Sequence, residues 1–155
     1  MTRNRTLIAY ATKGGVTGEN AELIGEILRR EFRHQVDVVN LMKAKVPDLT
    51  AYDNVIIGSG VRMGRWYRKA KKLLKNKALV DKRVVIFLSS GMAGNPETYP
   101  MAKKKFIDKM LAKNPHVKPV ACEAFGGRFP FGDKTDMTDP EKVKVWAKEL
   151  GRKLR

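Results

Sequence analysis

The sequence has few of the residues that build cross-links or metal sites. Cys122 is the single cysteine among 155 residues, so an internal disulfide is excluded and a cysteine-built metal site is not expected. Its apolar neighbours predict a small buried core residue rather than a reactive thiol. The two histidines lack metal-ligand spacing. We expect His34 to contact the C-terminal dipole of a helix and His116 to lie in a loop.

Long apolar runs are also missing. No stretch approaches the roughly 20 residues that span a bilayer. The basic N-terminus runs directly into a strand pattern, without the apolar region of a secretory leader. We therefore expect a cytoplasmic protein. A chain of 155 residues, 43% of them hydrophobic, is expected to form one domain over residues 1–155.

Acidic residues are scarce: 32 Lys and Arg outnumber 16 Asp and Glu, for a formal net charge of +16. Ten of these cations lie at positions 62–83, where Asp81 is the single acid, and residues 103–105 add a second cluster. An anionic membrane surface, an acidic partner or nucleic acid would suit such a surface, nucleic acid being the least favoured. The alternative is a solvated basic face without a partner.

Apolar patterns of two kinds alternate along the whole chain. Short, fully apolar runs are typical of strands buried on both faces, and apolar residues spaced by three and four are typical of helices. This alternation predicts an α/β fold with a doubly wound parallel sheet. Strands are expected at about 6–11, 36–41, 55–59, 84–89 and 117–125, and helices at about 17–32, 65–78, 99–113 and 139–154.

The turn after the first strand has the composition of a phosphate cradle. It contains Thr12, Lys13, Gly14, Gly15, Val16 and Thr17, and a helix follows at once. Glycines let the backbone approach an anion closely, and the free amides of a helix N-terminus favour negative charge. The two threonine hydroxyls supply further donors. The alternative is an ordinary turn in which Thr17 is a plain helix N-cap.

Three other strand ends are also rich in glycine and serine. They cover residues 58–64, 89–95 and 125–131. In doubly wound sheets, ligands bind beyond the carboxyl ends of the strands, so these segments are expected to meet at one edge. A metal-dependent receiver domain is excluded because the first and third strands do not end in acidic residues, and the phosphate-loop motif of nucleoside triphosphate sites is absent.

On these motifs the chain resembles the flavodoxin-like family. The loop at 12–17 is similar to the family's hydroxyl-rich phosphate loop, with Gly14 in place of its middle threonine. The segments YDNVIIGSGVRMG (52–64) and GGRFP (126–130) are similar to the flavodoxin-type, quinone-dependent protoporphyrinogen oxidase branch. The segment 131–137 is shorter than the insertion of that branch. The resemblance implies a three-layer sandwich with five parallel strands in the order 2-1-3-4-5, FMN as cofactor and a quinone-like acceptor or redox partner.

The resemblance also assigns residues to the cofactor. The FMN phosphate would be held by Thr12, Lys13, Gly14, Gly15, Val16 and Thr17. One side of the flavin ring would be lined by Ser59, Gly60, Val61, Arg62 and Met63. The other side would be approached by Ser90, Gly91, Met92 and Ala93. Trp66, Tyr67 and Tyr99 are near enough in sequence to contribute, although core packing explains Trp66 and Tyr67 equally well.

Arg62 and Arg128 are expected to tune the flavin. The fully reduced ring is anionic, and one arginine at about 8 Å, with an effective dielectric near 20, stabilises it by about 2 kcal/mol. That energy corresponds to roughly 85 mV for a one-electron couple, which favours two-electron chemistry.

Two alternative functions remain open. In the first, the chain is a one-electron carrier that docks on an acidic redox partner. In the second, it is a flavin-free module that binds nucleic acid or anionic surfaces through the basic helix.

Overall fold

A computed structural model describes residues 4–13, 15–127 and 138–155. Within these ranges six strands alternate with five α-helices. The strands are β1 (Arg5–Ala11), β2 (Gln35–Asn40), β3 (Asn54–Arg62), β4 (Arg65–Trp66), β5 (Arg83–Ser90) and β6 (Pro119–Gly126). The helices are α1 (Val16–Phe32), α2 (Arg68–Leu74), α3 (Tyr99–Lys103), α4 (Lys109–Lys113) and α5 (Pro140–Lys153).

The sheet confirms the predicted arrangement of its five long strands. They are parallel and lie in the order β2-β1-β3-β5-β6, which is the predicted order once the short β4 is set aside. The strand β4 was not predicted. It pairs antiparallel with the end of β3, with Val61 opposite Trp66, so the described sheet has six strands rather than five.

The helices cover both faces of the sheet, as the fully apolar strands predict. One face packs beneath α1 and α5 and includes Ile8, Ile56 and Phe87. The other packs beneath α2, α3 and α4 and includes residues from the alternate positions of the same strands, such as Leu7 and Ile57. The three-layer α/β/α sandwich therefore follows from strands that are apolar at successive positions.

The predicted helix at 65–78 is wrong at both ends. The chain turns back at Met63 and Gly64, whose φ angles are 51° and 77°, and forms the β3–β4 hairpin before α2 begins at Arg68. At the other end, the Asn76 side chain accepts a hydrogen bond from the Ala78 amide at 2.9 Å and starts a separate 3₁₀ turn. The helix is therefore only seven residues long.

The predicted helix at 99–113 is interrupted by a π-helical turn, Lys104–Asp108, between α3 and α4. The indole N–H of Trp66 donates to the Phe106 carbonyl oxygen at 2.6 Å. A side-chain donor inserted into the helical ladder is a recognised cause of such local widening. Trp66 is buried and packs in the core beneath α2, α3 and α4.

His34 is buried instead of capping a helix dipole, which corrects the sequence expectation. Its Nδ1 lies 2.8 Å from the Thr6 hydroxyl, and that hydroxyl accepts from the Asn54 amide at 2.9 Å. The Thr6 hydroxyl and Nδ1 share a hydrogen bond that either tautomer of the neutral ring can form. Burial, and then the Arg83 charge, lower the pKa of His34 below its ordinary value of 6.5.

The free energy of unfolding is expected to fall as the pH drops below 6.5. The folded protein holds His34 neutral, so the stability that this residue contributes is complete above pH 6.5. Below pH 6.5 that stability is lost, because the unfolded chain binds a proton at a higher pH than the folded chain does. Urea unfolding between about pH 8 and pH 5 measures this slope. The His34→Gln variant should lose the part of the slope that His34 supplies. An identical slope in both proteins would contradict the assignment.

Candidate functional site

The loop between β1 and α1 presents an uncapped helix N-terminus. Gly15 is the N-cap, with φ at 85°, and it supplies no side-chain hydrogen bond to the amides of the first helical turn. Thr17 lies inside the first helical turn, so it is not the N-cap of the alternative interpretation. Lys13 is exposed beside this turn. Gly14 lies outside the described residues. The backbone here provides donors for an anion.

The Thr17 hydroxyl is the most informative polar atom of the site. Thr17 is fully buried, and its Oγ1 has no hydrogen-bond partner among the described residues. Buried hydroxyls in proteins are nearly always hydrogen-bonded, so an exception requires an explanation. Its position in the first turn of α1 places this donor beside the exposed amides.

Gly60 lies between the two threonine side chains and the Tyr67 ring, where a Cβ would be in close contact. A Cβ at this position would lie 2.9 Å from the Thr12 hydroxyl, 3.4 Å from the Thr17 hydroxyl and 3.2 Å from the Tyr67 ring. The ends of β1 and β3 therefore meet here, with hydroxyls on one side and an aromatic ring on another. Gly60, Val61 and Arg62 belong to β3 itself and not to the loop that the sequence analysis expected.

The Ser59 hydroxyl is engaged within the protein. It donates to the Gly60 carbonyl oxygen at 2.7 Å and accepts from the Tyr67 amide at 3.0 Å. Ser59 is also fully buried. Its side chain therefore fixes the β3–β4 hairpin, whose tip carries Met63 with 92% of its surface exposed.

The end of β5 lies at the same edge of the sheet, where the sequence analysis places the other side of the flavin site. The Ser90 hydroxyl accepts from the Met92 amide at 3.3 Å and starts a 3₁₀ turn, Gly91–Gly94, that contains Ala93. The Gly127 amide donates to the Ser90 carbonyl oxygen at 3.1 Å, which brings β6 to the same edge. Arg128 and the rest of 128–137 lie outside the described residues.

Asn20 is a residue that the sequence reasoning missed. Its side-chain amide donates to the Ser89 hydroxyl at 3.3 Å, and both residues are buried. The bond joins α1 to the end of β5, so it fixes the first turns of α1 relative to that strand end. The signal in the sequence was its spacing, since Asn20 lies one helical turn after Thr17.

The aromatic residues near the site have separate positions. Tyr67 borders Gly60, as described above. Tyr99 donates a short hydrogen bond to the Glu123 carboxylate, and Lys142 lies 4.6 Å above its ring. Burial, followed by the Glu123 interaction, raises the pKa of Tyr99. Tyr99 therefore anchors the segment after the 3₁₀ turn to β6.

A cavity of about 620 Å³ opens beside the β1 and β3 ends, within the usual size range of ligand pockets. A second cavity, of about 530 Å³, is lined by residues that include Thr12 and Gly15 of the β1–α1 loop. The described residues contain no cluster of three or more His, Cys, Asp or Glu side chains that could hold a metal ion. The first cavity is lined by Lys13, Met42, Arg62, Met63, Arg65, Trp66, Tyr67, Arg68 and Lys69.

The family is identified by comparison over nearly the whole chain. A family described as a flavodoxin domain matches residues 7–153. The chain belongs to the flavodoxin family. This membership accounts for the sandwich, the strand order and the position of the glycine-rich loops at one edge, and it makes a flavin the expected ligand class. None of the helices within the described part of the chain is long and apolar enough to cross a membrane.

Individual relatives agree with this membership. Protoporphyrinogen IX dehydrogenase [quinone] of Escherichia coli K12 is 28% identical over 130 residues, which cover 81% of this chain and 71% of that protein. Oxidised Flavodoxin 1 from Bacillus cereus has the same fold at a TM-score of 0.66, with 18% identity and 96% and 98% of the two chains covered. A short-chain flavodoxin associated with a bacterial microcompartment matches at a TM-score of 0.69, with 16% identity and 98% and 99% covered.

Proposed function

We propose that this protein binds FMN at the carboxyl edge of its sheet and transfers electrons from a reduced substrate to a quinone-like acceptor. The observation that carries the proposal is the buried, unpartnered Thr17 hydroxyl beside an uncapped helix N-terminus. A phosphate group would supply acceptors for both. Gly60 fits the same interpretation, because any side chain there would occupy the space between the loops.

Each wall of the site has a distinct expected role toward FMN. Thr12, Lys13, Gly15, Val16 and Thr17 would hold the phosphate, together with Gly14. The β3 end, through Gly60, Val61, Arg62 and Met63, would line one side of the flavin ring. The β5 end would line the other through Ser90, Gly91, Met92 and Ala93, while Ser59 and Asn20 hold the two walls in position. FMN supplies the electron-transfer chemistry itself.

The dehydrogenase activity is supported by the Escherichia coli relative, whose name specifies protoporphyrinogen IX and a quinone. In such a reaction the substrate loses two electrons and two protons for each quinone reduced to quinol. Protoporphyrinogen IX is the donor that we propose to test first. The basic surroundings of the site suit an electron-rich, anionic donor or cofactor, because its first cavity is lined by five cationic side chains.

An anaerobic assay tests this function. The FMN-loaded protein is mixed with protoporphyrinogen IX and a short-chain quinone, and porphyrin fluorescence and quinone absorbance are followed together. We expect porphyrin to appear with the matching loss of quinone. The alternative is a one-electron carrier. It would be favoured if this donor reduced the flavin slowly while an acidic electron-carrier protein reduced it rapidly and in one-electron steps.

Arg62 is expected to raise the potential for addition of the second electron to the bound flavin. The residue is exposed at the end of β3, so water screens its charge. The expected decrease in the Arg62→Ala variant is therefore between about 20 and 85 mV, the limits set by dielectric constants of roughly 80 and 20. A reductive titration with reference dyes measures it.

Arg152→Ala is the control for that titration, since it removes one exposed cation on α5, in the opposite helical layer. The control should leave the potential unchanged within the error of the titration. Equal shifts in the two variants would mean that net charge, and not the position of Arg62, sets the potential.

A further inference from the structure

Two clusters of cations that are separate in the sequence come together in the fold. The hairpin tip lies beside the π-helical turn, and Lys105 Nζ is 3.5 Å from the place that a Cβ on Gly64 would take. The helix α2 follows the same hairpin directly. The cluster at 103–105 therefore adjoins the hairpin that leads into the cations of α2, and we call the surface that they share the basic face.

This face contains a groove with an apolar floor. The cavity of about 620 Å³ beside the hairpin shares Lys69 with a neighbouring cavity of about 580 Å³. No Asp or Glu among the residues that the structure describes lines either one. We call the two cavities together the basic groove. The second cavity is lined by Leu41, Ala44, Lys45, Val46, Lys69, Lys72, Leu73, Lys75 and Asn76.

Apolar side chains project from the same groove into solvent. Met63 is 92% exposed at the hairpin tip, and Met42 and Val46 are 38% and 39% exposed. Met63 also has a φ of 51°, which an unbranched apolar side chain adopts only at an energetic cost. Exposed apolar residues within a cluster of cations mark an amphipathic surface.

We infer that the basic groove docks this protein on an anionic phospholipid bilayer. The lysines and arginines would lie at the level of the lipid phosphates, while Met63, Met42 and Val46 would enter the apolar region below them. Each cation near an anionic bilayer raises the partition coefficient about fivefold. The surface resembles the interfacial binding mode in which cations and apolar side chains act together.

The composition of the groove favours lipid over the other anionic partners. The cores of protein–protein interfaces are depleted in lysine, whereas lysines line this groove at positions 13, 45, 69, 72 and 75. Single-stranded nucleic acid is bound by exposed aromatic rings, but Trp66 is buried and Tyr67 is half-buried. Exposed methionine at a projecting tip suits an acyl-chain environment.

Docking on this face has a consequence that rests on the function proposed above. The hairpin that would contact the bilayer carries Arg62 and Met63, which belong to the proposed flavin site. A lipid-soluble acceptor would then reach the site from the membrane itself. The groove thus identifies the bilayer surface as the place where the electron acceptor is met.

Vesicle sedimentation tests the docking with two charge-matched triple variants. Lys69→Gln, Lys72→Gln and Lys75→Gln remove three cations from the groove. Lys148→Gln, Arg152→Gln and Lys153→Gln remove three exposed cations from α5, on the other side of the sheet. We expect wild-type protein to bind vesicles of phosphatidylcholine mixed with phosphatidylglycerol and not pure phosphatidylcholine. The groove variant should bind about 100-fold more weakly than the α5 variant.

Met63→Asn tests the apolar component. Asparagine accepts a positive φ more readily, so this variant should be at least as stable as the wild type. Its vesicle binding should nevertheless fall about tenfold, since one apolar anchor is lost. Equal losses in the two triple variants, or unchanged binding by Met63→Asn, would overturn the docking mode. So would tight binding to nucleic acid or to an acidic protein without binding to the mixed vesicles.

Flavin absorbance in the same samples separates this inference from the proposed function. Failure to sediment with vesicles while FMN is retained would overturn the docking alone. Lysine-dependent sedimentation of a protein that cannot retain FMN would support the docking and overturn the proposed function.

Discussion

Replacing Gly58 by alanine is expected to lower the free energy of unfolding by about 3 kcal/mol. Gly58 lies in the centre of the sheet on β3, and a Cβ there would lie 2.3 Å from Cζ of the Phe87 ring and within 2.8 Å of two more of its atoms. Phe87 is fully buried, so its ring cannot move aside without displacing the core beneath α1 and α5. Chemical denaturation of the variant measures the loss.

A second substitution shows whether the Phe87 ring is the cause. Phe87→Leu shortens the side chain and should be destabilising by itself, because it leaves a cavity. In the Gly58→Ala background, Phe87→Leu should lower the free energy of unfolding much less, or should raise it. The coupling energy between the two substitutions should be at least about 1 kcal/mol. Additive losses in the double variant would contradict the steric account.

Thr17→Val should lower FMN affinity by about 10- to 100-fold without destabilising the protein alone. The substitution keeps the shape of the side chain and removes the hydroxyl that we assign to the phosphate. A hydrogen bond to a charged group contributes about 1.5 to 3 kcal/mol. In the flavin-free protein this buried hydroxyl has no partner within the described ranges, so its removal should leave stability unchanged or raise it by about 1 kcal/mol.

The matched variant is Thr17→Ser, which retains the hydroxyl and loses the methyl group. It should retain most of the FMN affinity while losing some stability. Isothermal titration of FMN and denaturation without FMN give the two readouts for both variants. Equal affinities for Thr17→Val and the wild type would show that the hydroxyl does not contact the phosphate.

The order of the elements could be predicted because most of the strands are apolar at successive positions. Such runs as residues 84–88 must be buried on both faces, and this requirement fixes a parallel sheet between helical layers. The hairpin at Met63 could not be predicted in the same way. Methionine is not a residue that signals positive φ, so the basic segment after it was assigned wholly to a helix.

The edge of the sheet at which the strand ends meet could be predicted, but the contacts of the side chains there could not. Parallel topology alone brings the ends of β1, β3, β5 and β6 to one edge. Whether a hydroxyl there is engaged or available depends on three-dimensional neighbours. Ser59 is bonded to Gly60 and Tyr67, while the buried hydroxyl of Thr17 has no partner among the residues that the structure describes. His34 does lie directly after the end of α1, as predicted, but the sequence does not show that Thr6 lies beside its ring.

The most direct test of the central claim is the retention of FMN by the purified protein. The protein is mixed with FMN, freed of excess cofactor and examined by visible absorbance, beside the Thr17→Val and Thr17→Ser variants. We predict flavin absorbance bands that stay with the wild type and the serine variant, at close to one FMN per chain, and that are much reduced in the valine variant. A wild-type protein that retains no flavin after this treatment would contradict the account.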